Sequence, residues 1–241
     1  MPIHDCSRVD PRLFHEFHQS WSVRLKDALN GGKLPTGYFA LVEQHTGAPE
    51  PDIIALNANF DGGPGGAVGV LTRPRTATRS AIRQESLRYA ERANRITVQH
   101  PLGRTVAVIE VVSSGNKHSK RAVKDFVSKV DELLRAGIHV AVIDLFPHTD
   151  RDPQGLHGLI VECYGHDPYV PPADKPLTLS SYVVIPYEET TAYVEPSAVG
   201  DALFPMPLFL TADYYVDLPL EETYAATWAA CPEPIRALVA G

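Results

Sequence analysis

Arg104-Thr-Val-Ala-Val-Ile-Glu-Val-Val112, the turn Ser113-Ser-Gly-Asn-Lys117, a helical stretch to Arg135, Gly137, and His139-Val-Ala-Val-Ile-Asp-Leu-Phe146 decide the fold. The two apolar runs have strand length and β-branched composition, and the segment between them has helical periodicity. Val123, Phe126, Val130, Leu133 and Leu134 form its apolar stripe, with Asn116 or Ser119 as N-cap. Strand, helix and strand in succession predict a right-handed crossover and a parallel pair inside a mixed sheet. The first strand is apolar except for Glu110, near its C-terminal end. A carboxylate there needs a cation, a metal or hydrogen bonds, because burying it uncompensated costs several kcal/mol.

Working outward, Arg95 to His100 reads as a hairpin partner of Arg104 to Val112 through Pro101-Leu102-Gly103. Arg79 to Asn94 reads as a helix, with Ile82, Tyr89 and Ala93 on one face and Arg88, Arg92 and Arg95 opposite. Asp61-Gly62-Gly63-Pro64-Gly65-Gly66 lacks the Lys and Ser/Thr of a phosphate loop and receives no nucleotide role. Tyr38 to His45 and Pro51 to Leu56 read as strands, the second opened by Asp52. At the start, Asp10-Pro11 opens a helix whose apolar residues are Phe14, Phe17, Trp21, Leu25 and Leu29, ended by Gly31-Gly32. His15 and His18 lie one turn apart on it, a metal-compatible spacing whose ordinary reading is a packed or exposed helix face.

After Phe146, Leu156 to Tyr164 and Ser180 to Tyr187 read as strand or helix-edge elements. Phe204 to Leu220 reads as proline-punctuated extended chain, and Glu221 to Ala230 as a last helix. The expected organisation is one domain over 1–241, with a core at about 10–146 and a wrapping extension at about 147–241.

The charge sums to −7 over 241 residues, which argues against generic coating of nucleic acid. Arg73 to Arg135 nevertheless carries 14 Lys/Arg against 6 Asp/Glu. That basic middle points to an anionic ligand, with nucleic acid reached through Arg88, Arg92 and Arg95, or else to a solvated helix face. No apolar run reaches membrane-spanning length, the start lacks signal-peptide regions, and three scattered cysteines make no disulfide framework. A cytoplasmic protein with reduced thiols is the expectation.

The run Ile109-Glu110-Val111-Val112-Ser113-Ser114-Gly115-Asn116-Lys117, with Gly137 and Val140 to Leu145, resembles the bacterial DUF4058 family of unknown function. That family shows an I-E-x-x-S-P-x-N-K turn and a strand ending in I-D-L; Ser114 stands at its proline position. The order Pro51-Asp52, Glu110 to Ser113, Lys129, Gly137 and Asp144 is similar to the Uma-type proteins of the restriction-endonuclease-like PD-(D/E)XK group. This likeness implies an α/β fold: a mixed sheet flanked by helices, restriction-endonuclease-like in its core. It also implies Asp52 and Glu110 as Mg²⁺ ligands and a lysine that orients the attacking water, in a nuclease or phosphodiesterase. The lysine position two after the acid is Val112, so Lys129 or Lys117 would substitute; His100 stands at the place to seek the aspartate.

Each residue also has a structural reading. Glu110 can pair with a basic residue or cap the Ser113–Lys117 turn, and Asp52 can be a turn residue. Lys129 can be solvated, Asn116 and Lys117 can brace the turn or contact an anion, and Asp144 can be a hydrogen-bonding strand end. The functional alternative is a non-catalytic binding or scaffold module that keeps a degenerate nuclease fold.

Overall fold

A computed structural model describes residues 2–42, 53–57, 80–83, 99–100, 103–164, 169–185 and 190–240. In chain order the strands are β1 (Tyr38–Leu41), β2 (Ile53–Asn57), β3 (Ser80–Arg83), β4 (Gln99–His100) and β5 (Gly103–Val111). They continue with β6 (His139–Asp144), β7 (Leu177–Val183), β8 (Thr191–Ser197), β9 (Pro207–Phe209) and β10 (Tyr215–Asp217). The α-helices are α1 (Pro11–Ala28), α2 (Ser114–Lys117), α3 (Lys120–Arg135), α4 (Gly155–Glu162), α5 (Leu220–Ala230) and α6 (Glu233–Ala240).

The fold is α/β. Among the described residues one mixed sheet has the order β1-β2-β5-β6-β7-β8-β3, with β4 also on β5, and β9 and β10 form a separate antiparallel pair. The expected parallel pair is β5 with β6, and the other pairings of the large sheet are antiparallel. Every residue of β6 and β7 is buried. This is why their sequences read as continuous apolar or small-residue runs rather than alternations.

α3 joins the parallel strands. Ser119 is its N-cap, the hydroxyl accepting the Ala122 amide at 3.1 Å. Gly137, at φ 78°, lets the chain leave the helix and enter β6. The helix buries Val123, Phe126, Val127, Val130 and Leu134, each side chain of this kind contributing ~1.5–3 kcal/mol. Leu133 packs toward Val108, so α3 covers the sheet face that carries Val108 and Glu110. The opposite face receives β9, where Phe209 meets His139 and Tyr193, and Ser181 donates to the Pro207 carbonyl.

α1 starts where Asp10-Pro11 indicated and packs on α5. Trp21 Nε1 donates to Thr223 Oγ1 at 3.0 Å, and Tyr224 meets Phe17 and Trp21 edge-on.

Three expectations are revised. Ser80–Arg83 is an edge strand paired with Thr191–Val194, not the start of a helix, because hydrogen bonding along β8 outweighs local helical propensity. The rest of that expected helix lies outside the described residues. Leu156 to Tyr164 contains the helix α4, which is buried nearly all round, Leu156, His157, Ile160 and Val161 included. The segment after Phe146 does more than wrap: β7 and β8 extend the sheet directly from β6. α6 had no counterpart among the expected elements.

Candidate functional site

Glu110 lies in the middle of the sheet, opposite Val142 of β6, and is 2% exposed. Its counter-ion comes from α3. Lys129 follows the buried Phe126 by three residues and sits at the margin of the apolar stripe. Its stem therefore runs along the helix–sheet boundary, and its ammonium turns inward. Lys129 Nζ lies 2.7 Å from Glu110 Oε2 and 5.3 Å from the Phe126 ring centroid. The pair is charge-assisted and almost dry, the lysine side chain being 12% exposed. Such a pair is weak evidence for stability alone, since desolvation offsets much of the Coulombic gain.

His18 Nε2–H donates to the Val111 carbonyl at 2.8 Å, fastening α1 one residue past Glu110. His15 is exposed. The two histidines thus serve solvent and backbone separately.

The turn after β5 is built by Asn116, whose Oδ1 accepts the Ser113 amide at 2.8 Å and the Ser113 hydroxyl at 2.9 Å. That closure directs Lys117 into the protein, where it is 5% exposed. Its Nζ lies 3.0 Å from Asp144 Oδ2, 2.8 Å from Asp152 Oδ2 and 3.0 Å from the Phe146 carbonyl. Asp144 Oδ1 accepts the Phe146 amide at 3.1 Å, and Asp152 Oδ1 accepts the Thr149 amide and hydroxyl at 2.9 and 2.6 Å. Burial pushes the Asp144 carboxyl above the usual carboxylate range, while the Lys117 ammonium pulls it back. One lysine thereby ties the end of β6 to the loop that leads into α4.

Of the site residues expected from sequence, Glu110 and Lys129 are brought together. Lys117 is not with them; it belongs to the Asp144–Asp152 cluster, the bracing alternative for that lysine. Asp144 takes the structural role. Asp52 and the arginines 88, 92 and 95 lie outside the described residues. The strand after Asp52 begins at Ile53, which pairs with Ile109, the residue before Glu110. His100 pairs with Gly103 at the start of β5, roughly 23 Å along the strand from Glu110 at 3.3 Å per residue. It cannot replace an acid beside Glu110.

Sequence reading missed Asp152 and a second buried group, His157, whose Nδ1 lies 2.7 Å from the Tyr182 hydroxyl. Asp152 had a usable signal: Thr149-x-x-Asp152 has capping-box spacing.

A carboxylate oxygen is a hard donor that suits Mg²⁺, so Glu110 fits an ion of that class. Among the described residues, no group of three or more His, Cys, Asp or Glu side chains could hold a metal. No helix among them is long and apolar enough to cross a membrane. No protein-family model, no curated protein and no solved structure matches the chain.

Proposed function

We propose that the chain is a restriction-endonuclease-like protein with a Mg²⁺-dependent phosphodiesterase site at Glu110, Lys129 and Asp52. The observation that carries this reading is the 2.7 Å Lys129–Glu110 contact on the face covered by α3. A parallel strand pair, an acid near the end of its first strand and a helix-borne lysine above that acid are the parts the resemblance requires. The Ile53–Ile109 pairing adds a reason to take Asp52 as the second acid.

In this reading Glu110 and Asp52 hold the ion, which when bound stabilises charge on the phosphoryl oxygens. Lys129 neutralises Glu110 while the site is empty and is then positioned to orient the attacking water. The partner is a nucleic-acid backbone met by Arg88, Arg92 and Arg95. Changing these three to Ala should weaken DNA binding and reduce its salt dependence. No binding of DNA or RNA by the unchanged protein at low salt would remove the partner assignment.

A second reading keeps the fold without the chemistry. It is favoured by the burial of Glu110 and by the use of Lys117 in the interior. Glu110→Gln separates the two when melted with and without Mg²⁺. For a metal site, Mg²⁺ raises the melting temperature of the parent and not of the variant, since a ligand stabilises only the state that binds it. A variant that melts lower, with neither protein responding to Mg²⁺, assigns Glu110 to a structural pair with Lys129 and sinks the phosphodiesterase reading.

A further inference from the structure

Away from Glu110, a partly open cavity of about 110 Å³ lies between α1 and the α5–α6 corner. Phe14 and Phe17 from α1, Tyr224 and Trp228 from α5, and Ile235 from α6 form its apolar wall. The rings brace one another: Tyr224 and Trp228 both meet Phe17 edge-on, with centroids 5.1 and 6.5 Å away. A strap of chain at residues 3 and 4 fixes two of them. The Ile3 amide donates to the Asp201 carbonyl at 2.7 Å, and the Ile3 carbonyl accepts the Gly200 amide at 2.9 Å. The His4 ring then stacks on Trp228 with centroids 3.7 Å apart, and its Nδ1 is 2.9 Å from the Tyr224 hydroxyl. Protein interiors hold few voids larger than a water molecule. A cavity whose walls are held apart by bonds of this kind is preorganised for an occupant.

The wall spends its polar atoms on itself. The Tyr224 hydroxyl is engaged by His4, the Thr227 hydroxyl donates to the Thr223 carbonyl at 2.7 Å, and the Cys6 thiol donates to the His4 carbonyl at 3.6 Å. Few partners remain for water, which needs about two to four in such a site. Burial also keeps the wall uncharged: it lowers the His4 imidazole below its usual 6.5 and pushes the Cys6 thiol up to about 12. The two charged side chains that line the cavity, Arg24 and Glu16, are exposed and of opposite sign, so the mouth favours neither anion nor cation. An ion inside would lose its hydration without gaining a counter-charge. Size sets the rest: a dry cavity of about 150 Å³ accepts a benzene ring, so an open one somewhat smaller takes a single ring, not a nucleotide.

We propose that this cavity is a binding site for a small uncharged aromatic molecule, one ring in size, held among Phe14, Phe17 and Trp228. An aromatic ring fits these walls better than an aliphatic one, because it adds edge-to-face contacts to the burial of apolar surface. The inference is independent of the phosphodiesterase reading, since neither Glu110 nor Lys129 lines the cavity.

Toluene is the probe, with benzoate as the charged control and cyclohexane as the non-aromatic one. The chain has two tryptophans, and Trp21 is buried and bonded to Thr223, so Trp228 is the one that a ligand in the cavity reaches. Titration of the full chain with toluene should give a saturable change in tryptophan fluorescence and a higher melting temperature. Benzoate should bind at least tenfold more weakly. Cyclohexane, compared with toluene at equal submillimolar concentration, should bind at least threefold more weakly. Trp228→Phe keeps an aromatic wall, so it should abolish the fluorescence change while the thermal shift persists. Absence of a saturable response to toluene overturns the site, and a fluorescence change that survives in Trp228→Phe places the binding elsewhere and overturns it too. Benzoate binding as tightly as toluene overturns the preference for an uncharged ligand, and cyclohexane binding as tightly overturns the preference for an aromatic one.

Discussion

Lys117→Met should lower the stability of the protein by about 3–5 kcal/mol. Methionine keeps most of the lysine volume, so little packing is lost. What is lost is the one cation between Asp144 and Asp152, whose side chains are 4% and 0% exposed. Two carboxylates are then left facing each other in a dry site, and the Phe146 carbonyl loses its donor. For a chain of this size the loss corresponds to a fall in melting temperature of roughly 6–20 °C. Asp144→Asn provides the contrast. The Asp144 pKa is raised in the fold, so its stabilising contribution is complete below the ordinary carboxylate pKa and is lost as pH rises through the folded value. At neutral pH the asparagine variant, with Lys117 still paired to Asp152, should equal or exceed the parent, and the gap should close on acidification. Urea denaturation of the three proteins at pH 7 and pH 4.5 checks both expectations. A Lys117→Met protein as stable as the parent would mean that the cluster is hydrated and carries little energy.

The same cluster shows where sequence reading ends. The strand–helix–strand unit from Arg104 to Phe146 was legible because its information is local: apolar runs of strand length, a helical stripe, a serine N-cap and a glycine exit. Glu110 was legible as an acid that required compensation, and Lys129 as one of two lysines able to reach it. The choice between Lys117 and Lys129 was not legible, because it depends on the Ser113–Asn116 closure that turns Lys117 inward and on Asp152, which lies 35 residues further along. The revised elements failed for a related reason. Ser80–Arg83 is a strand only because β8 presents it an edge, and β7 carries Thr178, Ser180 and Ser181, small polar residues without strand alternation. Their burial follows from lying between β6 and β8, a fact of tertiary pairing that no window of the sequence contains.

Two buried histidines should make the fold sensitive to mild acid. His139 opens β6, and its Nδ1 accepts the Val184 amide at 3.1 Å. His157, on α4, is 2% exposed; one ring nitrogen meets the Tyr182 hydroxyl, and Nε2 has no hydrogen-bond partner among the described residues. Protonating His139 turns its acceptor into a donor facing an amide N–H. Protonating His157 places a charge where the described residues offer one polar contact. Burial accordingly lowers both from the ordinary 6.5 to about 4. The unfolded chain binds these protons below pH 6.5 and the folded chain refuses them until about pH 4. Stability from both groups is therefore present above pH 6.5 and is lost as pH falls through that window. Each histidine should remove on the order of 1.4 kcal/mol per pH unit there, reaching about 3 kcal/mol at its lower end. Between pH 6 and 5 the ordinary carboxylates are still largely ionised, so the slope in that interval belongs mainly to histidine. His139→Gln and His157→Gln should each flatten the pH dependence of the unfolding free energy between pH 6 and 5 by about one proton's worth. The double variant should flatten it by about two. A slope unchanged in both single variants, or ring resonances of His139 and His157 titrating near 6.5 in the folded protein, would show that these rings are open to water and that acid acts elsewhere.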